Sequence, residues 1–155
     1  MPDSQSTAVV YNSTFRHGVD RKRRIQVPSA WRPAEEDFQF TLILWPQHQA
    51  GACLRVLPPK EMAQLMEALD AMPNGDRNKT ILKRIIGSES TQVTLDKAGR
   101  ICVPEEMAAG AGIELEKEVT LVGLLDRFEI WESGRYQRAK AADSVLAQEA
   151  FKMME

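Results

Sequence analysis

The sequence predicts an α+β fold, mainly β, in which two repeated halves pair about a pseudo-two-fold axis to close a small barrel. Three observations carry this expectation. The pattern D-x-x-x-R-I-x-V-P occurs twice, as Asp20, Arg24, Ile25, Val27, Pro28 and as Asp96, Arg100, Ile101, Val103, Pro104. These are five identities in nine positions at an offset of 76 residues. A single offset of this size marks a duplication, because a solenoid needs three or more repeats. Each motif also has matching surroundings: a β-prone stretch before it, a proline-led segment after it, and then two β-like runs. Finally, one copy of about 45 residues with four short strands buries too little surface to enclose a core by itself.

The elements follow in order. "TAVVYNSTF" (residues 7–15) reads as the first strand, and "STQVTL" is its counterpart before the second motif. Pro28 and Pro104 suit the first turn of a short helix, where a missing N–H costs nothing. "FQFTLILW" and "ACLRVL" form the paired strands of the first half, "EVTLVGLL" and "RFEIW" those of the second. The second pair is joined around Leu125, Asp126 and Arg127 by a tight hairpin. Between the halves, Met62, Leu65, Met66, Leu69 and Met72 make one apolar stripe at helical spacing. "PNGD" breaks it, and Asp76 caps a second helix bearing Ile81, Leu82, Ile85 and Ile86, closed by Gly87. From Ser133 the composition is helical, with Tyr136, Val145, Leu146, Phe151 and Met153 too irregular to define one face. The expected division is half one at 14–60, a helical connector at 61–89, half two at 90–133 and a helical tail at 134–155.

Composition narrows the function. The chain has 155 residues and a net charge of −2, so it is not generally basic. It holds no apolar run of the ~18 residues that a membrane-spanning helix requires. "MPDSQSTAVVYNSTF" has no basic head before an apolar stretch, so no secretory signal is expected and the cytoplasm is the default location. Cys53 and Cys102 both lie in apolar runs and read as small buried hydrophobes rather than a disulfide. Nothing suggests catalysis, a cofactor or a metal. His17 and His48 are the only histidines, no carboxylate arrangement completes a triad, and no metal-binding or phosphate-loop motif occurs.

Charge is concentrated in one place. Between residues 14 and 32 stand Arg16, Arg21, Lys22, Arg23, Arg24 and Arg32, against Asp20 alone. In the D-x-x-x-R unit the aspartate can accept N–H groups of the turn, in an Asx-type arrangement, and pair with the arginine four residues on. That structural account suffices for Asp96, Lys97 and Arg100, where Gly99 supplies a residue able to take a positive φ. It does not suffice for the first copy, because one aspartate cannot neutralise Arg21, Lys22, Arg23 and Arg24 in a row. Phosphate is the natural ligand for such a cluster, with guanidinium forks available to guanine edges. A solvated basic loop is the plainer alternative. His17 reads as a strand residue or a minor phosphate contact. Trp31, Trp45 and Trp131 read as core lids or subunit contacts, with base stacking a further option for Trp31.

Taken together, "HGVDRKRRIQVP" with Arg32 after it, "CLRVLP", "RIIGS", "LDKAGRICVP" and "KEVTLVGLLDRFEIW" resemble the MraZ family of bacterial transcriptional regulators. The resemblance spans residues 14–138. It implies tandem SpoVT/AbrB-type halves forming a swapped-hairpin, AbrB-like barrel. It also implies a nucleoid-associated protein of the cytoplasm, assembled as a ring of identical subunits on repeated promoter sites in double-stranded DNA. The implied role is repression of the division and cell-wall gene cluster. By motif position the DNA-binding arginine falls on Arg24, with Arg21, Lys22 and Arg23 beside it. Asp20 is the structural partner, and Asp96, Lys97 and Arg100 hold the equivalent, secondary place. Two departures stand out: the family's first motif reads D-x-K-G-R, where this chain has Arg23 for glycine, and the N-terminus is longer by about ten residues. Two other classes stay open, a ring-forming scaffold or interaction protein and an antitoxin-like AbrB regulator whose tail clasps a toxin.

Overall fold

The computed structural model describes residues 9–46 and 48–155. Its strands are β1 (Thr14–Gly18), β2 (Arg24–Gln26), β3 (Gln39–Trp45), β4 (Cys53–Leu57), β5 (Ser90–Thr94), β6 (Arg100–Cys102), β7 (Glu118–Gly123) and β8 (Phe128–Glu132). Its helices are α1 (Pro59–Asp70), α2 (Arg77–Ser88), α3 (Glu105–Gly110) and α4 (Ser133–Lys152), with a 3-10 turn at Ser29–Trp31. Residues 7 and 8 of the expected first strand lie outside the described residues. Tyr11 makes only an isolated bridge to Leu125, and the strand proper opens at Thr14.

Every pairing is antiparallel, and the pattern survives exchange of the two halves. β1 lies on β7 with Thr14 opposite Val122, and β5 lies on β3 with Ser90 opposite Ile43. β3–β4 and β7–β8 are hairpins, and β4 joins β8 about Arg55 opposite Glu129. The result is one six-stranded sheet of order β1-β7-β8-β4-β3-β5. β2 and β6 form a separate ribbon about Ile25 opposite Ile101. The halves thus meet on their pseudo-axis at two cross-strand pairs, one apolar and one ionic.

The expected closed barrel is not formed among the described residues. β1 and β5 stand at opposite edges of an open sheet, and the chain after each turns away to make the ribbon. Pro28 and Pro104, which cannot donate to a ladder, follow β2 and β6 by two residues. The ribbon strands therefore stop at three residues, too short to stitch the two edges together. Instead the ribbon covers one face of the sheet. Ile25, Val27, Ile101 and Val103 are wholly buried there with Phe40, Leu42, Leu54, Val56, Leu121, Phe128 and Ile130.

The sheet's other face follows from the two-residue period of a strand. On β3, Phe40 and Leu42 face the ribbon while Ile43 packs with Leu57, Leu69 and Ile86 beneath α1 and α2. Under α4, Cys53 and Trp131 pack against Ala139. Glu132 starts α4 by accepting the N–H groups of Gly134 at 2.8 Å and Arg135 at 2.9 Å, and Asp76 starts α2 by accepting that of Asn78 at 2.9 Å.

Several local expectations shift. Pro28 and Pro104 stand one residue before their helical segments, as caps rather than first-turn residues. Gly87 does not end α2, which runs on to Ser88 and is capped by the Glu89 N–H bonding back to Ile85. The α1 and α2 stripes are only partly covered, with Met66, Ile81 and Ile85 exposed. Cys102 is exposed, not buried, because on the three-residue ribbon its neighbour Ile101 takes the core-facing position. Among the described residues no helix is long and apolar enough to cross a membrane.

Candidate nucleic-acid interface

Two turns, one from each half, sit at the ends of the ribbon. The first begins where β1 leaves the sheet and Val19 buries its side chain. Asp20 then organises the reversal. Its Oδ1 accepts the N–H groups of Lys22 at 2.9 Å and Arg24 at 2.8 Å, and its Oδ2 accepts Nε of Arg24 at 2.7 Å. The Asp20 carbonyl accepts the Arg23 N–H at 3.0 Å. These contacts, led by the Arg24 N–H, hold the Asp20 carboxyl below its ordinary range.

The second turn repeats the first atom for atom. Asp96 Oδ1 accepts the N–H groups of Ala98 at 2.9 Å and Arg100 at 2.8 Å, and Oδ2 accepts Nε of Arg100 at 3.1 Å. The Arg100 N–H, foremost among these donors, again lowers the carboxyl. Each turn is also tied to the opposite strand: Val27 N–H donates to Gly99 O at 2.8 Å and Val103 N–H to Arg23 O at 2.9 Å. Gln26 Nε2 donates to Ala98 O at 2.8 Å, and in the matching place the Cys102 thiol donates to Lys22 O at 3.3 Å. Arg24 is two ribbon positions from Arg100 across the antiparallel pair, about 7 Å along the strand.

Equal backbones carry unequal charge. In the first turn Arg21 is 84% exposed and reaches Glu116 at 3.1 Å, Lys22 is exposed, and Arg24 is about one-third exposed. Lys22 has no carboxylate partner among the described residues. Asp96, Lys97 and Gly99 of the second turn line a concavity with Arg32, Glu35, Glu36 and Asp37. Glu35, Glu36 and Asp37 join Asp96 there, while Glu116 pairs with Arg21 at the first turn, which carries four consecutive cations against two.

Other expected residues fall elsewhere. Trp31 is wholly buried, its ring against Phe128 at 4.9 Å and Phe15 at 5.1 Å, and its indole N–H donates to Asn12 O at 3.1 Å. It is a core residue and cannot stack on a base. His17 is a half-buried strand residue opposite Val119. His48 lies at the far side of the sheet, its Nε2 3.0 Å from Asp143 Oδ1 of α4. There a cavity of about 440 Å³ is lined by Trp45, Trp131 and Tyr136, with the Arg55–Glu129 pair on its floor. Among the described residues no group of three or more His, Cys, Asp and Glu is placed to hold a metal ion.

Arg32 and Glu116 have roles beyond those their places in the sequence suggest. Arg32 lies over Gly99, and Glu116 pairs with Arg21 from a loop 95 residues away. The signal for the first was present in the pairing of a glycine in one motif with an arginine in the other.

Comparison with known proteins finds relatives along most of the chain. A family model described as "MraZ protein, putative antitoxin-like" matches residues 86–153. A protein of Pediococcus pentosaceus called "Transcriptional regulator MraZ" is 32% identical over 129 residues, covering 83% of this chain and 85% of the relative. Proteins of the same name from Halothermothrix orenii and Caulobacter vibrioides are 32% and 31% identical. They cover 82% and 90% of this chain, and 84% and 88% of their own lengths. With its duplicated motif and this similarity along most of its length, the chain belongs to the MraZ family.

Proposed function

We propose that this protein is a DNA-binding transcriptional regulator, not an enzyme, and that it grips double-stranded DNA through the turn bearing Arg21, Lys22, Arg23 and Arg24. One observation carries the reading: two turns with the same backbone differ in charge, with four consecutive cations in the first against Lys97 and Arg100 in the second. Phosphates would meet Lys22 and the outer nitrogens of Arg21 and Arg24. Asp20 fixes the turn, and Asp96, Lys97 and Arg100 form its weaker counterpart. The relatives' printed name supports regulation of transcription.

The fuller reading is a repressor of the division and cell-wall gene cluster, acting at the nucleoid in the cytoplasm as a ring of identical subunits on repeated promoter sites. Repetition suits a turn with few cations, since linked weak contacts gain from effective concentration. In this reading residues 14–60 and 90–133 are the two AbrB-like halves, exchanging hairpins, with 61–89 as connector and 134–155 as tail. A second reading, an antitoxin-like regulator, draws on the family model's description and on α4, where Val145, Leu146 and Phe151 are exposed.

Anisotropy with a labelled duplex from upstream of the chain's own gene, against a shuffled duplex, tests the proposal. Salt-sensitive binding that favours the native duplex supports it. Equal or absent binding, with an intact assembly by light scattering, moves the scaffold class ahead.

A further inference from the structure

Arg23 and Gly99 hold the same place in the two turns, with φ of +59° and +81°. A left-handed backbone is uncommon for a residue with a side chain, so the difference needs a cause. It lies in the neighbours. The guanidinium of Arg32 rests over Gly99 and donates through Nε to the carbonyl of Val27 at 2.8 Å. A Cβ at position 99 would overlap that guanidinium. In the other half the residue 76 positions after Arg32 is Ala108, which is buried and offers no side-chain donor. There Arg23 donates through Nε to the carbonyl of Val103 at 3.1 Å. Val27 and Val103 are equivalent, wholly buried, and just past the ends of their strands, where the ladder provides no N–H. Among the described residues each carbonyl has the arginine as its only donor.

We propose that Arg23 is a positioning residue: one arginine in the first turn replaces the glycine–arginine pair, Gly99 and Arg32, that serves the second. Val103 is held at both polar atoms, its N–H on the Arg23 carbonyl and its carbonyl on the Arg23 guanidinium. The left-handed backbone is what aims that side chain inward. Of the four consecutive cations, Arg23 is therefore committed to the ribbon, and the exchange of glycine for arginine adds no phosphate contact.

Thermal unfolding of the full chain tests this. Arg23→Gly relieves the left-handed backbone, which by itself would raise Tm. Loss of the only donor to a buried carbonyl predicts a fall instead, of about 3 °C or more. An unchanged or higher Tm overturns the proposal. Transplanting the arrangement is the second arm. Gly99→Arg and Arg32→Ala each lower Tm, and the double variant recovers at least half of the summed loss, because the new guanidinium can reach the Val27 carbonyl. Strictly additive losses overturn it. A third arm rests on the proposed function: Arg23→Gly leaves the salt slope of DNA affinity unchanged while Lys22→Ala/Arg24→Ala flattens it. A drop of about 0.9 in the Arg23→Gly slope makes Arg23 a phosphate contact and overturns the assignment. If the Lys22→Ala/Arg24→Ala slope also stays put, the DNA-contact reading is what fails, and the two Tm arms still decide the role of Arg23.

Discussion

Removing the Glu129 carboxylate should unbalance the junction between the halves. Glu129 and Arg55 face each other where β4 meets β8, with side chains 10% and 26% exposed and Nε 2.8 Å from Oε2. The other oxygen accepts the indole N–H of Trp131 at 2.9 Å, and the Arg55 guanidinium sits 4.2 Å from the centroid of the Trp45 ring. Glu129→Ala therefore strands a largely desolvated cation and a buried N–H at once. Breaking one partner of such a pair costs about 3–5 kcal/mol; because Arg55 keeps some water, about 3 is the better figure. For a chain of this length that lowers Tm by roughly 6–12 °C. The double variant Arg55→Met/Glu129→Met, which removes both charges and keeps the volume, should recover most of the loss. Urea unfolding followed by tryptophan fluorescence and by circular dichroism reads both variants. A loss below about 1 kcal/mol for Glu129→Ala, or a double variant no better than the single, would mean that the junction does not depend on the pairing of these charges.

Other consequences follow from single sites. Trp31→Ala should cost about 3–5 kcal/mol and leave little folded protein at 37 °C, read by urea midpoint; a cost under 1 kcal/mol would contradict its place in the core. Cys102, exposed, should react with a thiol reagent in the native state, while Cys53, buried and with its thiol pushed well up mainly by desolvation, reacts only on unfolding. Acid should destabilise the fold. N–H groups of Arg24, Arg100 and Gly134 lower the carboxyls of Asp20, Asp96 and Glu132, so their contributions are complete above the unfolded carboxylate range. Those contributions are lost as pH falls below about 4 through the folded values, and unfolding at pH 3, 4 and 7 should show stability falling in that order.

Much of this fold was legible in the chain. The motif at an offset of 76 residues pointed to two like halves, and β1 and β5 take matching places at the two edges of the sheet. Asp76 and the apolar stripes placed α1 and α2, because capping and helical periodicity are local signals. Closure of the sheet was not legible. It depended on whether three-residue strands ending near Pro28 and Pro104 would join the edges or each other, a choice made by long-range packing. The exposure of Cys102 turned on one residue of register. Within the candidate site, the Asp20 and Asp96 turns followed from spacing. The inward aim of Arg23 did not, since it depends on the Val103 carbonyl 80 residues away and on the absence of an Arg32 counterpart.

The first turn, and not its twin, is proposed to meet DNA. The decisive measurement is the salt dependence of affinity for the upstream duplex in wild type, Lys22→Ala/Arg24→Ala and Lys97→Ala/Arg100→Ala, each checked for assembly by light scattering. Each pair of substitutions removes two positive charges from its turn. With DNA held at the first turn alone, the first pair reduces the slope of log K against log salt by about 1.8 per engaged subunit and the second pair leaves it near wild type. Equal reductions, or a larger one for the second pair, would contradict it.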